Sequence, residues 1–237
     1  MHERDSSSGG CIAQGTLITL ADGTKKKVED ITSNDALLVF NHETGKYDFA
    51  KVNFVYVGAI DYYSVINLRF SNGKNIKVIS NHGFFDLDLM QYVYIDASNY
   101  ADYIGHKFYS ATWNGTIYQS NVVTLDDAYI TSESVSYYDP ISMYHLNFFA
   151  EDLLTIPGAK GLSNIFEYDS NLKYNSEKMQ ADIEKYGLFT YDYFEDKVPY
   201  DVYLAFPAQY FKVAIGKGIL TEEQLLSYIK RYLPLMI

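Results

Sequence analysis

The chain has 237 residues, of which 48% are hydrophobic and 21% are charged, a composition typical of a folded globular protein. Acidic residues outnumber basic residues by 30 to 19, and the formal net charge of −11 disfavours binding to nucleic acid or to an anionic membrane surface. One cysteine and five histidines that lie far apart exclude an internal disulfide, a thiolate zinc cluster and a helical HExxH site. We therefore expect no resident metal, no cofactor, no nucleic-acid partner and no membrane partner.

The first ten residues are polar and end in a Ser-Ser-Ser-Gly-Gly run, which predicts a flexible segment at 1–10. They lack the apolar centre of a signal peptide, and no apolar run in the chain reaches the roughly 18 residues of a membrane helix. The sequence therefore leaves the compartment of the protein open.

Short apolar runs alternate with tight turns between about residues 11 and 118. The turn signals are the pairs Asp22-Gly23, Asn72-Gly73 and Asn114-Gly115, which favour the left-handed backbone of two-residue hairpins. Residues 36–40 are apolar throughout, which predicts a strand buried on both faces. Strands at this spacing, joined by glycine turns, predict an all-β module.

The pattern changes near Pro157-Gly158. Residues 176–186 carry apolar side chains at helical spacing and are followed by a glycine, which predicts a helix. Residues 200–215, interrupted by Pro207, and a run that begins at Thr221 predict two more helices. The predicted organisation is a flexible segment at 1–10, a β domain at 11–157 and a helical C-terminal part at 158–237.

Cys11 carries the one thiol of the chain and directly follows two glycines. Gly10 has no side chain to shield its carbonyl carbon, so a nucleophile can approach the Gly10–Cys11 peptide bond openly. A thiolate is the strongest nucleophile that a protein offers at neutral pH. A single cysteine in a β domain is, however, commonly a small buried core residue, and inert packing is the alternative.

Three stretches carry a family resemblance. Residues 11–31, CIAQGTLITLADGTKKKVEDI, together with Asp35 and the apolar run after it, resemble the opening block of the Hint module of hedgehog proteins and inteins. Residues 76–86 resemble a second block, in which a strand ends in Thr-x-x-His. This stretch supplies His82, but Ile79 stands at the position of the threonine.

A third stretch, residues 145–155, resembles the block that precedes the C-terminal junction of inteins. It matches at residues 147–150, whereas His145 lies one position away from the family's histidine. Inteins end this block in His-Asn, the pair that cuts the C-terminal junction, and Ile156-Pro157 stands in that place here. The resemblance covers about residues 11–157.

The resemblance implies a mainly β, Hint-type folded (horseshoe-like) sheet followed by a small helical appendage, and it is closest to bacterial intein-like domains. It also implies an autocatalytic, single-turnover reaction in cis, in which the Cys11 sulfur attacks the Gly10 carbonyl and shifts the acyl group from nitrogen to sulfur. His82 is then the proton donor to the leaving nitrogen, above a hydrophobic floor of Phe84-Phe85.

Other polar residues of these blocks have less defined roles. His145 either packs in a loop or serves as a second proton-transfer group. The oxyanion of the tetrahedral intermediate is bound either by the Asn147 side chain or by backbone amides of the second block. We expect His106, Asp35 and Asp86 to serve packing and turn structure and not the chemistry.

The absence of His-Asn at 156–157 predicts that complete splicing does not occur. The thioester would be hydrolysed, or transferred to an external amine or thiol, which releases or ligates the upstream polypeptide, the partner in cis. We expect a monomer. The alternative is a catalytically inactive Hint-like β module, a structural or interaction domain of a bacterial surface or multidomain protein. Inhibitory zinc bound by Cys11 and His82 is a further option that the sequence leaves open.

Overall fold

The structure is a computed structural model that describes residues 11–42, 44–79, 82–142, 145, 147–157, 176–196, 211–218, 221–223 and 225–226. Within these ranges the chain forms fourteen β-strands. They are β1 (Cys11–Ala13), β2 (Leu17–Thr19), β3 (Lys25–Lys27), β4 (Ala36–Asn41), β5 (Lys46–Val57), β6 (Asp61–Phe70) and β7 (Asn75–Ile79). They continue with β8 (His82–Asp86), β9 (Gln91–Ile95), β10 (Lys107–Trp113), β11 (Tyr118–Val135), β12 (Tyr137–Ser142), β13 (Phe148–Ala150) and β14 (Leu153–Ile156).

The strands form one antiparallel sheet, in which strands that follow one another along the chain frequently do not pair with each other. Its order is β3-β2-β13-β14-β8-β10-β11-β6-β7-β1-β12-β5-β4, and β9 pairs with β8. The long strand β11 pairs with β10 through residues 118–124 and with β6 through residues 125–135, with an irregularity between Leu125 and Asp127. A strand shared in this way lets one sheet bend into two parts. The order places β1 between β7 and β12, away from both edges of the sheet.

The predicted hairpin turns are confirmed. Asp22-Gly23 joins β2 to β3, Asn72-Gly73 joins β6 to β7, and Asn114-Gly115 joins β10 to β11. Gly73 and Gly115 have φ angles of 78° and 98°, a left-handed conformation that favours glycine over other residues.

The turn between β13 and β14 is made differently. Its two residues, Glu151 and Asp152, have φ angles of 48° and 70° without being glycines, so this turn is strained. Long-range contacts hold it: Asp152 forms ion pairs with Lys25 and Lys74, and a Glu151 carboxylate oxygen accepts a hydrogen bond from the Leu17 amide at 2.9 Å. Charged side chains from β3 and from the β6–β7 turn therefore hold this turn in its strained conformation.

Alternate residues of the central strands enter two apolar clusters. Cys11, Ile79 and Ile156 belong to one cluster, which we call the Cys11 cluster. Their chain neighbours Ile12 and Val78 belong to the other. Residues 36–40 are buried on both faces as predicted, since Leu38 joins the Cys11 cluster and Leu37 the opposite one.

The described C-terminal residues form two helices, α1 (Ser176–Tyr186) and α2 (Phe211–Gly216). An ion pair at 2.8 Å joins Asp182 to Lys217, and Phe194 and Val213 are fully buried within the Cys11 cluster. Helical backbone also occurs at 222–223 and 225–226, after Thr221.

The predicted helix at 176–186 and the mainly β fold class with a small helical C-terminal part are confirmed. Residues 200–210 of the predicted helix at 200–215, like the segment 1–10, lie outside the described residues. Neither α1 nor α2, nor any other described helix, has the length and hydrophobicity needed to cross a membrane.

Candidate functional site

Cys11 is the first residue of β1, and the sheet surrounds it on both sides. Its Cα partner on β7 is Ile79. Directly opposite residues of an antiparallel pair point to the same face, so the thiol and the Ile79 side chain lie together. Both are buried in the Cys11 cluster, and the exposed fraction of Cys11 is 0%. A thiol in such surroundings needs a neighbouring base to give up its proton.

A buried carboxyl group lies across β1 on the other side. β1 pairs with β12 through Ile12↔Tyr138 and Ala13↔Tyr137, and the same register carried one residue further places Asp139 opposite Cys11. The exposed fraction of Asp139 is 0%. Burial raises the pKa of Tyr94 well above its ordinary value, and the charge of Asp139 raises it further. The Tyr94 phenol therefore lies close enough to Asp139 to feel its charge. Sequence reasoning missed Asp139, although a lone acid inside the apolar run at 137–142 was an available signal.

His82 is the first residue of β8 and is fully buried. Its ring packs edge-on against Phe84, with ring centroids 5.4 Å apart, and against Phe148 at 6.3 Å. The prediction of a Phe84-Phe85 floor is therefore half right, because Phe85 points to the opposite face of β8 and lies 5.2 Å from the ring of His42. The apolar floor under His82 comes from Phe84 and from a distant strand.

Backbone connection keeps Cys11 and His82 in one region. Ile79, the strand partner of Cys11, precedes His82 by three residues, which bounds the separation of the Ile79 and His82 Cα atoms at about 11 Å. The β1–β7 pair adds about 5 Å, so the Cα atoms of Cys11 and His82 lie within about 16 Å of each other. The end of β14 reaches the same place, because Ile156 pairs with Gly83. A side chain at position 83 would collide with Ile156 and approach the Tyr94 ring. The last residue of β14 thus meets the start of β8, three to four residues along the chain from the β7 partner of Cys11.

Thr155 of β14 contacts His82 directly. Its hydroxyl oxygen lies 2.6 Å from His82 Nε2 and 2.6 Å from the Gly83 carbonyl oxygen. Thr155 and His82 are both fully buried. The sequence drew no attention to Thr155, because its pairing with β8 is a long-range one.

His145 lies in a second group of histidines. Its Nε2 is 3.6 Å from an oxygen of Asp48, and it is nearly buried. His42 Nε2 lies 2.9 Å from the Tyr92 hydroxyl. Burial, assisted by the charge of His145, lowers the pKa of His42 to about 4. The structure therefore brings His145 together with His42, a residue that sequence reasoning did not single out.

The Asn147 side chain ties strands together. Its oxygen accepts a hydrogen bond from the Phe40 amide at 2.8 Å, and its nitrogen donates to the Phe40 and His145 carbonyls at 2.9 and 3.3 Å. The amide group must give up one of these bonds before it can bind an oxyanion. The role of Asn147 in the chemistry stays a prediction, and its contacts show a role in holding β4.

Asp35 and Asp86 are hydrogen-bonded in turns, as predicted. Asp35 accepts from the Thr32 amide at 2.7 Å, and Asp86 accepts from the amides of Asp88 and Leu89. His106 Nδ1 lies 2.7 Å from the second Asp86 oxygen.

Asp86, Asp88 and His106 have donor atoms within 4.8 Å of one another, which suits a divalent ion in principle. The Asp88 oxygens, however, already face the backbone amide and the amine of Lys107. We assign this group to turn structure.

Comparison with known proteins shows the fold. No family model and no curated protein matches the sequence. Among solved structures, a bacterial intein-like domain from Clostridium thermocellum is 19% identical, with a TM-score of 0.51, covering 63% of this chain and 99% of that one. The PabCDC21-1 intein is 16% identical, with a TM-score of 0.53 and coverage of 64% and 100%. The DnaX mini intein from Spirulina platensis is 15% identical, with a TM-score of 0.50 and coverage of 62% and 98%. The chain therefore contains a module with the Hint, or intein-like, fold.

Proposed function

From this Hint fold and the short chain connection between His82 and the strand partner of Cys11, we propose that the chain is a self-processing domain that acts once, in cis, on the Gly10–Cys11 peptide bond. One observation carries the proposal: the thiol at the start of β1 and the imidazole at the start of β8 are both fully buried, and His82 follows Ile79, the β7 partner of Cys11, by only three residues. Burial of a thiol and an imidazole in one region suits proton transfer between them, because water does not compete for the proton.

The proposed reaction exchanges one bond for another. The Cys11 thiol proton passes to the His82 imidazole as the sulfur adds to the Gly10 carbonyl carbon. The carbon–nitrogen bond then breaks, and the same proton passes from the imidazolium to the Cys11 nitrogen. The products are a thioester on the Cys11 side chain and a free amine. Because nucleophile and carbonyl belong to adjacent residues, orientation supplies much of the rate.

Asp139 has the position to assist the first proton transfer. A carboxylate opposite the thiol favours the positive imidazolium that forms when sulfur loses its proton. The low-dielectric surroundings of a fully buried carboxylate strengthen this attraction. We therefore include Asp139 with Cys11 and His82 in the proposed catalytic group.

The far end of the module determines the fate of the thioester. Ile156 and Pro157 offer no side-chain amide to cut a C-terminal junction, and Ile156 is packed against Gly83. The thioester then persists until water, a thiol or an amine attacks it. Hydrolysis releases the upstream polypeptide, and attack by an amine joins that polypeptide to the acceptor.

A reporter protein fused in front of Met1 of the full chain tests the proposal. Incubation with dithiothreitol is expected to release the reporter. Cys11→Ala abolishes release, and His82→Ala slows it by about 10² or more, the usual contribution of a positioned proton-transfer group. His106→Ala is the matched control, since it removes an imidazole from the Asp86 turn. A wild-type fusion that stays intact through prolonged thiol treatment overturns the proposal.

The second candidate, a catalytically inactive Hint-like module with a structural or interaction role, is favoured by Ile79. This buried residue places an apolar side chain beside Cys11 where the resemblance has a threonine. An intact fusion, together with wild-type stability in Cys11→Ala, is the outcome expected for that candidate.

A further inference from the structure

The Thr155 hydroxyl forms two short contacts whose directions can be assigned. Its oxygen lies 2.6 Å from the Gly83 carbonyl oxygen and 2.6 Å from His82 Nε2. A hydroxyl has one proton, and a carbonyl oxygen can only accept. The Thr155 proton is therefore donated to the Gly83 carbonyl.

The second contact must then run from the imidazole to the hydroxyl. The Thr155 oxygen can accept a hydrogen bond from the Nε2–H group of His82. The hydroxyl has no second proton that it could donate to an unprotonated Nε2. Neutral His82 consequently carries its proton on Nε2, and its lone pair is on Nδ1. The tautomer of a histidine is set by the hydrogen bond that one of its nitrogens makes, and here that bond comes from β14.

We propose that Thr155 is a positioning residue that holds His82 in the Nε2–H tautomer and so makes Nδ1 the atom that moves the proton. Nδ1 takes the proton of the Cys11 thiol and returns it to the Cys11 nitrogen, while Nε2 keeps its own proton throughout. The tautomer assignment stands on the contacts of Thr155, and the part played in cleavage rests on the proposed function.

The surroundings of His82 make this hydrogen bond consequential. The ring is fully buried and lies against Phe84 and Phe148, which offer no acceptor for Nε2–H. Loss of the Thr155 oxygen would remove the acceptor of this buried donor, which favours a change of tautomer or a turn of the ring. Either response moves the proton-transfer atom away from the reacting groups.

The position of Thr155 also links the last strand of the module to the reaction. Thr155 pairs with Phe84 and Ile156 with Gly83, so β14 and β8 are held in register at the imidazole. Ile79 has no hydroxyl with which to orient the reacting groups. A hydroxyl from β14 is therefore the group that fixes the imidazole in this chain.

Nitrogen-15 NMR of the full chain labelled at histidine tests the tautomer. The Cys11→Ala background keeps the chain uncleaved, and His82→Gln in that background identifies the resonances. We expect a proton on Nε2 and none on Nδ1 in neutral His82. Thr155→Val should shift the population towards Nδ1–H or mix the two forms, and Thr155→Ser should keep Nε2–H.

The control is Thr19→Val, the same substitution at another buried hydroxyl, one with no hydrogen-bond partner among the described residues. It should leave the His82 spectrum unchanged. An Nδ1–H tautomer in the Cys11→Ala chain with Thr155 intact, or an unchanged Nε2–H tautomer when Thr155→Val is added to it, overturns the proposal.

The rate of thiol-induced reporter release gives the second measurement. Thr155→Val should slow release by about 10-fold or more. This is part of the roughly 10²–10⁴-fold rate enhancement that a proton-transfer group contributes. Thr155→Ser should restore the wild-type rate. If Thr155→Val releases the reporter as fast as wild type, the positioning role is wrong although self-processing stands. If the wild-type chain releases nothing, the proposed function fails, and the spectra alone decide the assignment of Thr155.

Discussion

Cys11 and Ile79 are direct partners across the β1–β7 pair, and their side chains lie on one face of the sheet. The thiol therefore has a branched hydrocarbon as its cross-strand neighbour. A hydroxyl at this position would stand beside the Gly10–Cys11 bond. For the proposed reaction, we therefore expect this pair to slow the cleavage of the Gly10–Cys11 bond.

Ile79→Thr tests that relationship. The new hydroxyl can hydrogen-bond the scissile amide or the oxyanion, so we expect thiol-induced release to become several-fold faster than in the wild-type chain. The buried hydroxyl should lower the free energy of unfolding by about 1–3 kcal/mol. Val78→Thr, on the opposite face, should cost similar stability with no gain in rate. Slower release in Ile79→Thr would show that the position does not limit the reaction.

Asp139→Asn tests the buried carboxyl group. The substitution keeps the shape and removes the charge opposite Cys11, so release should slow by about 10-fold or more because the imidazolium loses its stabilising partner. Asp86→Asn is the matched control, since Asp86 is also fully buried but serves a turn. Rates are compared at temperatures where denaturation curves show each variant folded. Equal rates for Asp139→Asn and wild type would remove Asp139 from the catalytic group.

The buried pair of histidines predicts an acid-sensitive fold. Burial and the charge of His145 lower the pKa of His42 from 6.5 to about 4. As the pH falls, residue 42 therefore takes up its proton at a higher pH in the unfolded chain than in the folded one. Stability should therefore be complete above pH 6.5 and fall towards pH 4, by up to about 3 kcal/mol. Urea denaturation at a series of pH values measures this slope. His42→Gln should flatten it, and an equally steep slope in the variant would contradict the assignment.

The β13–β14 turn predicts a compensating pair of substitutions. Lys25→Met removes an ion-pair partner of the nearly buried Asp152 and should lower the free energy of unfolding by about 1–3 kcal/mol. Adding Asp152→Gly should recover much of that loss, because glycine adopts the φ of 70° freely and removes the buried carboxylate that has lost one of its two ion-pair partners. Lys107→Met, at an exposed pair, should change stability by less than about 0.5 kcal/mol. A further loss in the double variant would show that the turn is not strained.

Local signals in the sequence were sufficient for a large part of the fold. The pairs Asn72-Gly73 and Asn114-Gly115 mark hairpins because the required backbone conformation depends on the turn residues themselves. The apolar run at 36–40 marks a strand buried on both faces for a similarly local reason. Cys11 and His82 could be singled out because the resemblance gave each a neighbouring motif.

Asp139 and Thr155 could not be assigned in the same way. Their positions follow from the registers of β12 against β1 and of β14 against β8, pairs that join distant parts of the chain. The turn at Glu151-Asp152 was hidden for a related reason, since it lacks glycine and is supported by charged residues from distant parts of the chain. Long-range pairing, which no short motif contains, decides these features.

The central claim is that a thioester forms between the Gly10 carbonyl and the Cys11 sulfur. Hydroxylamine attacks thioesters readily and ordinary peptide bonds slowly, so mass spectrometry of the reporter fusion after hydroxylamine treatment tests it directly. We predict an upstream fragment that ends in a hydroxamic acid on Gly10, and none from the Cys11→Ala fusion. An unmodified, uncleaved fusion, or equal cleavage in both proteins, would contradict it.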